Sequence, residues 1–205
     1  MKRAMPDRFL GLLFTMVLEL PVWISMNNSE DLCVLVGRRK YMIFMAFLPL
    51  CCAISGNCGL QTSTLTTRGV NFNHVQRSNF SLWVLSELFT TFLLGIGIGL
   101  FITLFAFQAS GHDFSFAASI GLAQTLSILL SAITGCISPI VLACFFSFGS
   151  NRKKDIAKWN GWLELILQDL IGAFCMMVLG VRFLHWFGVD DIEMGDYCGP
   201  SDGVY

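Results

Sequence analysis

The chain has 205 residues, 55% of them hydrophobic and 13% charged, with a formal net charge of -1. A soluble domain carries about 25% charged residues, so the composition excludes an ordinary soluble domain and points to a membrane protein. The near-zero net charge gives no basis for nucleic acid as a partner.

A spanning helix needs about 20 mostly apolar residues. Five such segments follow in chain order, roughly Arg8–Met26, Tyr41–Thr67, Ser81–Ala109, Phe114–Gly149 and Trp159–Gly188. They predict an all-α, polytopic membrane protein with five transmembrane helices over residues 1–188. An acidic, flexible tail follows over 189–205. The first segment has the basic flank of a signal peptide, but Glu19 and Pro21 lie inside it and no A-x-A site follows, so it is expected to be retained. The second and fourth are long, and tilt or breaks are expected in them.

Lys and Arg collect on the cytoplasmic side of a membrane protein. Nine fall on one side: Lys2, Arg3, Arg8, Arg68, Arg77, Arg152, Lys153, Lys154 and Lys158. Four fall on the other: Arg38, Arg39, Lys40 and Arg182. The N-terminus is therefore expected inside and the C-terminus outside, with Arg38–Lys40 as the dissenting cluster. Only about eight residues precede the first span, too few for an extramembrane enzyme, and no nucleophile–base pair can be placed within the spans. No enzyme activity is expected.

The second span carries the run SGNCGLQTSTLTTRG from Ser55 to Gly69. At about 100° per residue, Asn57, Gln61, Thr64 and Arg68 (i, i+4, i+7, i+11) share one helix face. Thr62, Ser63 and Thr66 fall elsewhere, where they are expected to bond back to the backbone. Gly56 and Gly59 let backbone or ligand come close. Polar groups at membrane depth face a partner or a water-filled cavity. Two readings of the face stay open, a wet path and helix–helix glue.

In the third span Glu87, Thr91, Gly95 and Gly99 recur every four residues, a packing ridge with an acid at its inner end. In the fourth, Ser127, Ser131, Thr134 and Ser138 form a polar line. Pro139 removes a backbone donor one turn beyond Gly135, and carbonyls so freed are tolerated beside a cavity.

Four acids lie within spans: Glu19, Glu87, Glu164 and Asp169. Asp169 is ten residues past Trp159, about 15 Å into a core about 30 Å thick. No Lys or Arg stands three or four positions from it, while Gly172 and Ala173 clear its face. Such a carboxylate must be protonated, matched from another helix or bound to a cation, and Asp169 is the expected metal ligand. Glu164 points elsewhere and is read as structural. His74, His112 and His185 form no ligand pair. Eight cysteines show no zinc spacing. Cys33 and Cys198 lie outside the apolar runs, so a bridge between them stays open.

The pattern Pro49, Gly56-Asn57-x-Gly59-x-Gln61, Thr64 and Arg68-Gly69 resembles the second-helix motif of the MgtE magnesium-channel family. The related eukaryotic solute carriers for magnesium share it. Glu19 and Glu87 stand where that family has acids. Gly135 and Pro139 resemble its fourth-helix motif, and Leu167-Gln168-Asp169-Leu170-Ile171-Gly172 its fifth-helix aspartate motif. Cys58 departs from the small residue expected beside Asn57. The cytoplasmic N-domain and CBS pair usual in MgtE proteins are not in this sequence, and no sensor domain is expected. The carriers hold two five-helix units, whereas this chain has one.

The resemblance implies a channel or transporter for Mg²⁺ in a plasma or inner membrane, its surface in contact with lipid. It also implies a homodimer whose Asp169 side chains hold the hydrated ion. Mg²⁺ keeps several waters and needs only one or two carboxylates. Asn57, Gln61 and Thr64, with Gly56, Gly59, Ser131, Thr134, Ser138 and Pro139, would line the path, and Glu19, Glu87 and Glu164 would be secondary acids. The alternatives are a coupled Mg²⁺ exporter, a Co²⁺ or Mn²⁺ carrier, and a non-transporting scaffold subunit.

Overall fold

The structure, a computed structural model, describes residues 37–72, 74–75, 78–147 and 153–187, with Met16, Val17, Leu20, Ile24 and Cys33. Side chains are described outside 142–166. Four helices run through the described residues: α1 (Arg38–Asn71), α2 (Phe80–Ala109), α3 (Phe114–Ser147) and α4 (Lys153–Trp186). They correspond to the second to fifth predicted spans, and each contains a stretch long and apolar enough to cross a membrane. The fivefold count therefore becomes four among the described residues. Most of the first predicted span lies outside them, although Met16, Val17, Leu20 and Ile24 are helical and exposed. The tail over 189–205 lies outside them too.

Boundaries differ most at α4, which starts at Lys153 where Trp159 was expected. Lys is a good helix former and needs no apolar surroundings beyond the bilayer core. Of the tilt or breaks expected in α1 and α3, the breaks do not occur, since both helices continue through their prolines, Pro49 and Pro139. Each proline deletes one backbone bond, and packing by the neighbouring helices holds the rest.

Gly37 precedes α1 at φ 80°, a region where a β-carbon is strained. Its N–H donates to Cys33 O at 3.0 Å, and Tyr41 N–H donates to Gly37 O at 2.9 Å. Cys33 is disulfide-bonded, while Cys198 lies outside the described residues. At the other end of α1, the N–H groups of His74 and Val75 both donate to Gly69 O. The loop between α2 and α3 turns through Gly111 and His112, at φ 78° and 76°.

Asp113 then caps α3, its Oδ1 accepting the Phe116 N–H at 3.1 Å. Lys40 Nζ lies 2.7 Å from Asp113 Oδ2. Partial burial pushes the Asp113 carboxyl up, but the Lys40 ammonium and the N–H groups of Phe116 and Ser115 more than offset it. Its pKa therefore sits below the ordinary carboxylate value. One charge of the dissenting basic cluster is thus matched on its own side.

α3 is the centre of the bundle. It packs against α1, α2 and α4, while α1 packs on α4 and only brushes α2. The spanning stretch of α3 is 56% buried, against 22% for α2, so α2 is the least buried of the four described helices. α2 and α3 cross at two glycines. A β-carbon at Gly99 would fall 2.9 Å from Gly121 O, and one at Gly121 would fall 2.7 Å from Gly99 O. Small residues of this kind let membrane helices approach backbone to backbone. Thr91, Gly95 and Gly99 are all buried, so the fourfold spacing in α2 is a packing ridge.

The apolar core lies toward the Asp113 end, where Phe44, Phe116, Ile120, Met176 and Leu184 meet. Gly180 admits the Phe44 ring, whose Cε2 would lie 2.7 Å from a β-carbon there. Deeper along the bundle the core changes character, and hydroxyl and amide side chains replace rings.

Candidate ion site

Asn57, Gln61, Thr64 and Arg68 are all exposed on α1. At about 100° per residue they stand about 80–140° round the helix from Gly56, which is itself buried against α4. The polar face therefore looks out of the protomer along the edge of the α1–α4 contact. Thr64 Oγ1 donates back to Leu60 O at 2.8 Å.

Thr62, Ser63 and Thr66 lie off that face, as the spacing predicts. All three are buried between helices, and Thr66 Oγ1 accepts from Trp83 Nε1 at 3.3 Å. Periodicity sets relative angles around one helix; which angle meets a neighbour depends on the other helices.

Asp169 is half-buried on α4, antiparallel to α1. A β-carbon at Gly56 would stand 3.6 Å from Asp169 Oδ1 and 3.8 Å from Gln168 Cβ. One turn away, a β-carbon at Gly172 would meet Cys52 Cα at 3.4 Å. The second-helix glycines and the fifth-helix acid, 113 positions apart in sequence (169 less 56), thus form one contact. The carboxylate sits at the rim of the outward polar face.

Ser131, Thr134, Ser138 and Pro139 stand on α3 where it meets its neighbours. Ser131, Ser138 and Pro139 are buried and Thr134 is half-buried. The line is a seam between helices. Ser127 Oγ and Ser55 Oγ share a hydrogen bond of 2.9 Å. Ser131 Oγ donates to Ser55 O and to Gln168 Oε1. Gln168 Nε2 donates to Ser131 O at 3.2 Å and to Thr134 Oγ1 at 2.9 Å.

Gln168, 1% exposed, stands in the quoted fifth-helix motif, but sequence reasoning gave it no role. A lone amide inside an apolar run was the available signal, overshadowed by the acid beside it. Gln124 was missed in the same way. Its Nε2 donates to Cys51 O at 3.4 Å and Ser55 Oγ at 3.3 Å, while its buried Oε1 has no partner among the described residues.

Glu87 is half-buried on α2, near Cys58, which is hydrogen-bonded to Thr91. The larger residue at position 58 thus joins α1 to α2. Glu19 lies outside the described residues, as does the Glu164 side chain. No three His, Cys, Asp or Glu side chains converge on a metal site among the described residues. His74 lies in the loop after α1, His112 in the α2–α3 loop and His185 in the last turn of α4. Chemically, the described residues at this place offer the Asp169 carboxylate, the Asn57 and Gln61 amides beside it and a buried network behind it. Those are hard oxygen donors suited to a hydrated cation.

No curated protein and no solved structure matches the chain. The family model for MgtE, a divalent cation transporter, matches residues 48–179. The match runs from Leu48 in α1 to Leu179 in α4, taking in both the Gly56–Gln61 run and Asp169. MgtE is a transporter family, and the four described helices are apolar enough for an integral membrane protein. The chain belongs to the MgtE family of divalent cation transporters.

Proposed function

We propose that two copies of this chain form a path for hydrated Mg²⁺, with the two Asp169 side chains holding the ion near a two-fold axis. The observation that carries this is the position of Asp169, half-buried against Gly56 at the rim of an outward row of amides. A polar row exposed from a membrane protomer must meet water or a partner. A second copy related by a two-fold axis supplies both, since it faces the first with the same row and encloses water between them. One carboxylate per chain gives two per dimer, a set that suits an ion retaining most of its water shell. Asn57 and Gln61 face those waters. The expected orientation puts the N-terminus in the cytoplasm and the C-terminus outside.

No chemical step or coupling ion is required. Two charges moving through 100 mV release about 4.6 kcal/mol, enough to support a gradient of about three decades. Purified protein in liposomes tests the function. Mg²⁺ uptake that rises with an inside-negative potential and competes weakly with Mn²⁺ and Co²⁺ supports it. Uptake that requires a sodium or proton gradient would replace it with a coupled carrier.

A further inference from the structure

Gln168 stands directly before the acid, yet its side chain points into the bundle. It bonds to Ser131 twice and to Thr134 once, both on α3. Its carboxamide also fills the space beside Gly59. A β-carbon there would fall 2.2 Å from Gln168 Cδ and Nε2, so the carboxamide would have to move and its bonds to α3 with it. Gly59 O is in turn pressed by α3, 2.5 Å from where a Gly135 β-carbon would stand. Three helices therefore close on one amide, and Asp169 is the next residue along the chain.

We infer that Gln168 is a positioning residue for the ion site. It locks the rotation and depth of α4 against α1 and α3, so that Asp169 comes to rest beside Gly56. The inference rests on Asp169 as the ion-holding group and adds how that group is aimed. It also assigns the two motif glycines different tasks. Gly56 leaves room at the carboxylate, whereas Gly59 and Gly135 leave room for the amide that aims it. Metal sites depend on such outer partners, whose loss costs about 10–100-fold in affinity.

A substitution at 168 can separate aim from folding. Gln168→Met keeps length and volume and removes the bonds. No buried hydroxyl loses its last partner, because Ser131 Oγ still reaches Ser55 O and Thr134 Oγ1 still reaches Ser131 O at 2.9 Å. The variant should insert and fold. Mg²⁺ uptake in liposomes should show a half-saturating concentration raised about tenfold, with maximal uptake changed much less.

Gly59→Ala should give the same shift from the opposite helix by displacing the amide. In a Gln168→Ala background, where the space is vacant, Gly59→Ala should add almost nothing. Wild-type half-saturation in Gln168→Met, or full additivity of Gly59→Ala and Gln168→Ala, overturns the inference. Asp169→Asn is measured beside them. If it abolishes uptake while Gln168→Met behaves as wild type, the ion site stands and the positioning role falls. If it transports normally, the ion site falls and the inference with it.

Discussion

Asp169 Oδ1 lies 3.6 Å from where a β-carbon would stand at Gly56, while a β-carbon at Gly59, one turn on, would overlap the Gln168 carboxamide at 2.2 Å. Two glycines three positions apart therefore predict opposite outcomes. Gly56→Ala fits at ordinary contact distance, and alanine favours a helix interior by about 1 kcal/mol over glycine. Its thermal stability in detergent should match or exceed wild type. Its methyl nevertheless meets the carboxylate where ion-bound water would sit, and Mg²⁺ uptake should fall about tenfold, the effect of about 1.4 kcal/mol. Gly59→Ala should be destabilised by about 1–3 kcal/mol, as overpacked cores are. Equal melting temperatures for the two variants would show that this distinction between the glycines is wrong.

The outward amides predict a second contrast. Asn57→Leu and Gln61→Leu each remove hydrogen bonds to the ion's water shell, worth about 1.5–3 kcal/mol when charge-assisted. Each should lower uptake at least about tenfold. Val70, also exposed on α1, stands at least about 120° round the helix from all four polar residues, and Val70→Ala should leave uptake near wild type. Thr66 would be a poor control, since it is buried and bonded to Trp83. Similar losses at positions 57, 61 and 70 would point to general damage to the helix surface.

Much of this fold was legible in the sequence, because apolar run length and glycine spacing depend on the bilayer and on single helices. The run beginning at Phe114 predicted α3 to within two residues at its far end, Ser147 against Gly149. The ridge of Thr91, Gly95 and Gly99 followed from spacing alone. What escaped was pairing between helices. The line through Ser127 and Ser131 was visible, but its partners Ser55 and Gln168 lie 72 and 37 positions away. No periodicity within one helix reports such a distance. Thr64 and Thr66 differ by two positions, and only the packing of α2 and α3 decides that Thr66 is the buried one.

The Lys40–Asp113 pair ties the start of α1 to the start of α3. Asp113→Asn keeps an oxygen to cap α3 and loses the charge, so it should cost no more than about 1 kcal/mol. Asp113→Ala loses the cap as well and should cost about 1–2 kcal/mol in total. The carboxyl is held below its ordinary value. Its contribution is therefore fully present above the unfolded carboxylate value, about 3.9, and is lost as pH falls through the lower folded value. Melting curves of wild type and Asp113→Asn should converge only below about pH 3.9. A gap that persists at lower pH would assign the loss to something other than the charge.

The distribution of basic residues predicts which loop is outside. His112 is exposed in the α2–α3 loop, on the side that carries four of the 13 Lys and Arg. In a background without other reactive thiols, His112→Cys should be labelled by an impermeant maleimide added outside intact cells. Labelling only after the cytoplasmic side is exposed would invert the topology.

The central claim is that one ion is held jointly by two Asp169 side chains. It is tested most directly by Mg²⁺ uptake into liposomes that hold wild type and Asp169→Asn, co-expressed in equal amounts and purified together. Asp169→Asn alone should insert, fold and carry no Mg²⁺. If each path needs both carboxylates and copies pair at random, the mixture should give about one quarter of the wild-type rate. A rate of one half would mean that each chain conducts by itself, and normal uptake by Asp169→Asn alone would remove Asp169 from the path.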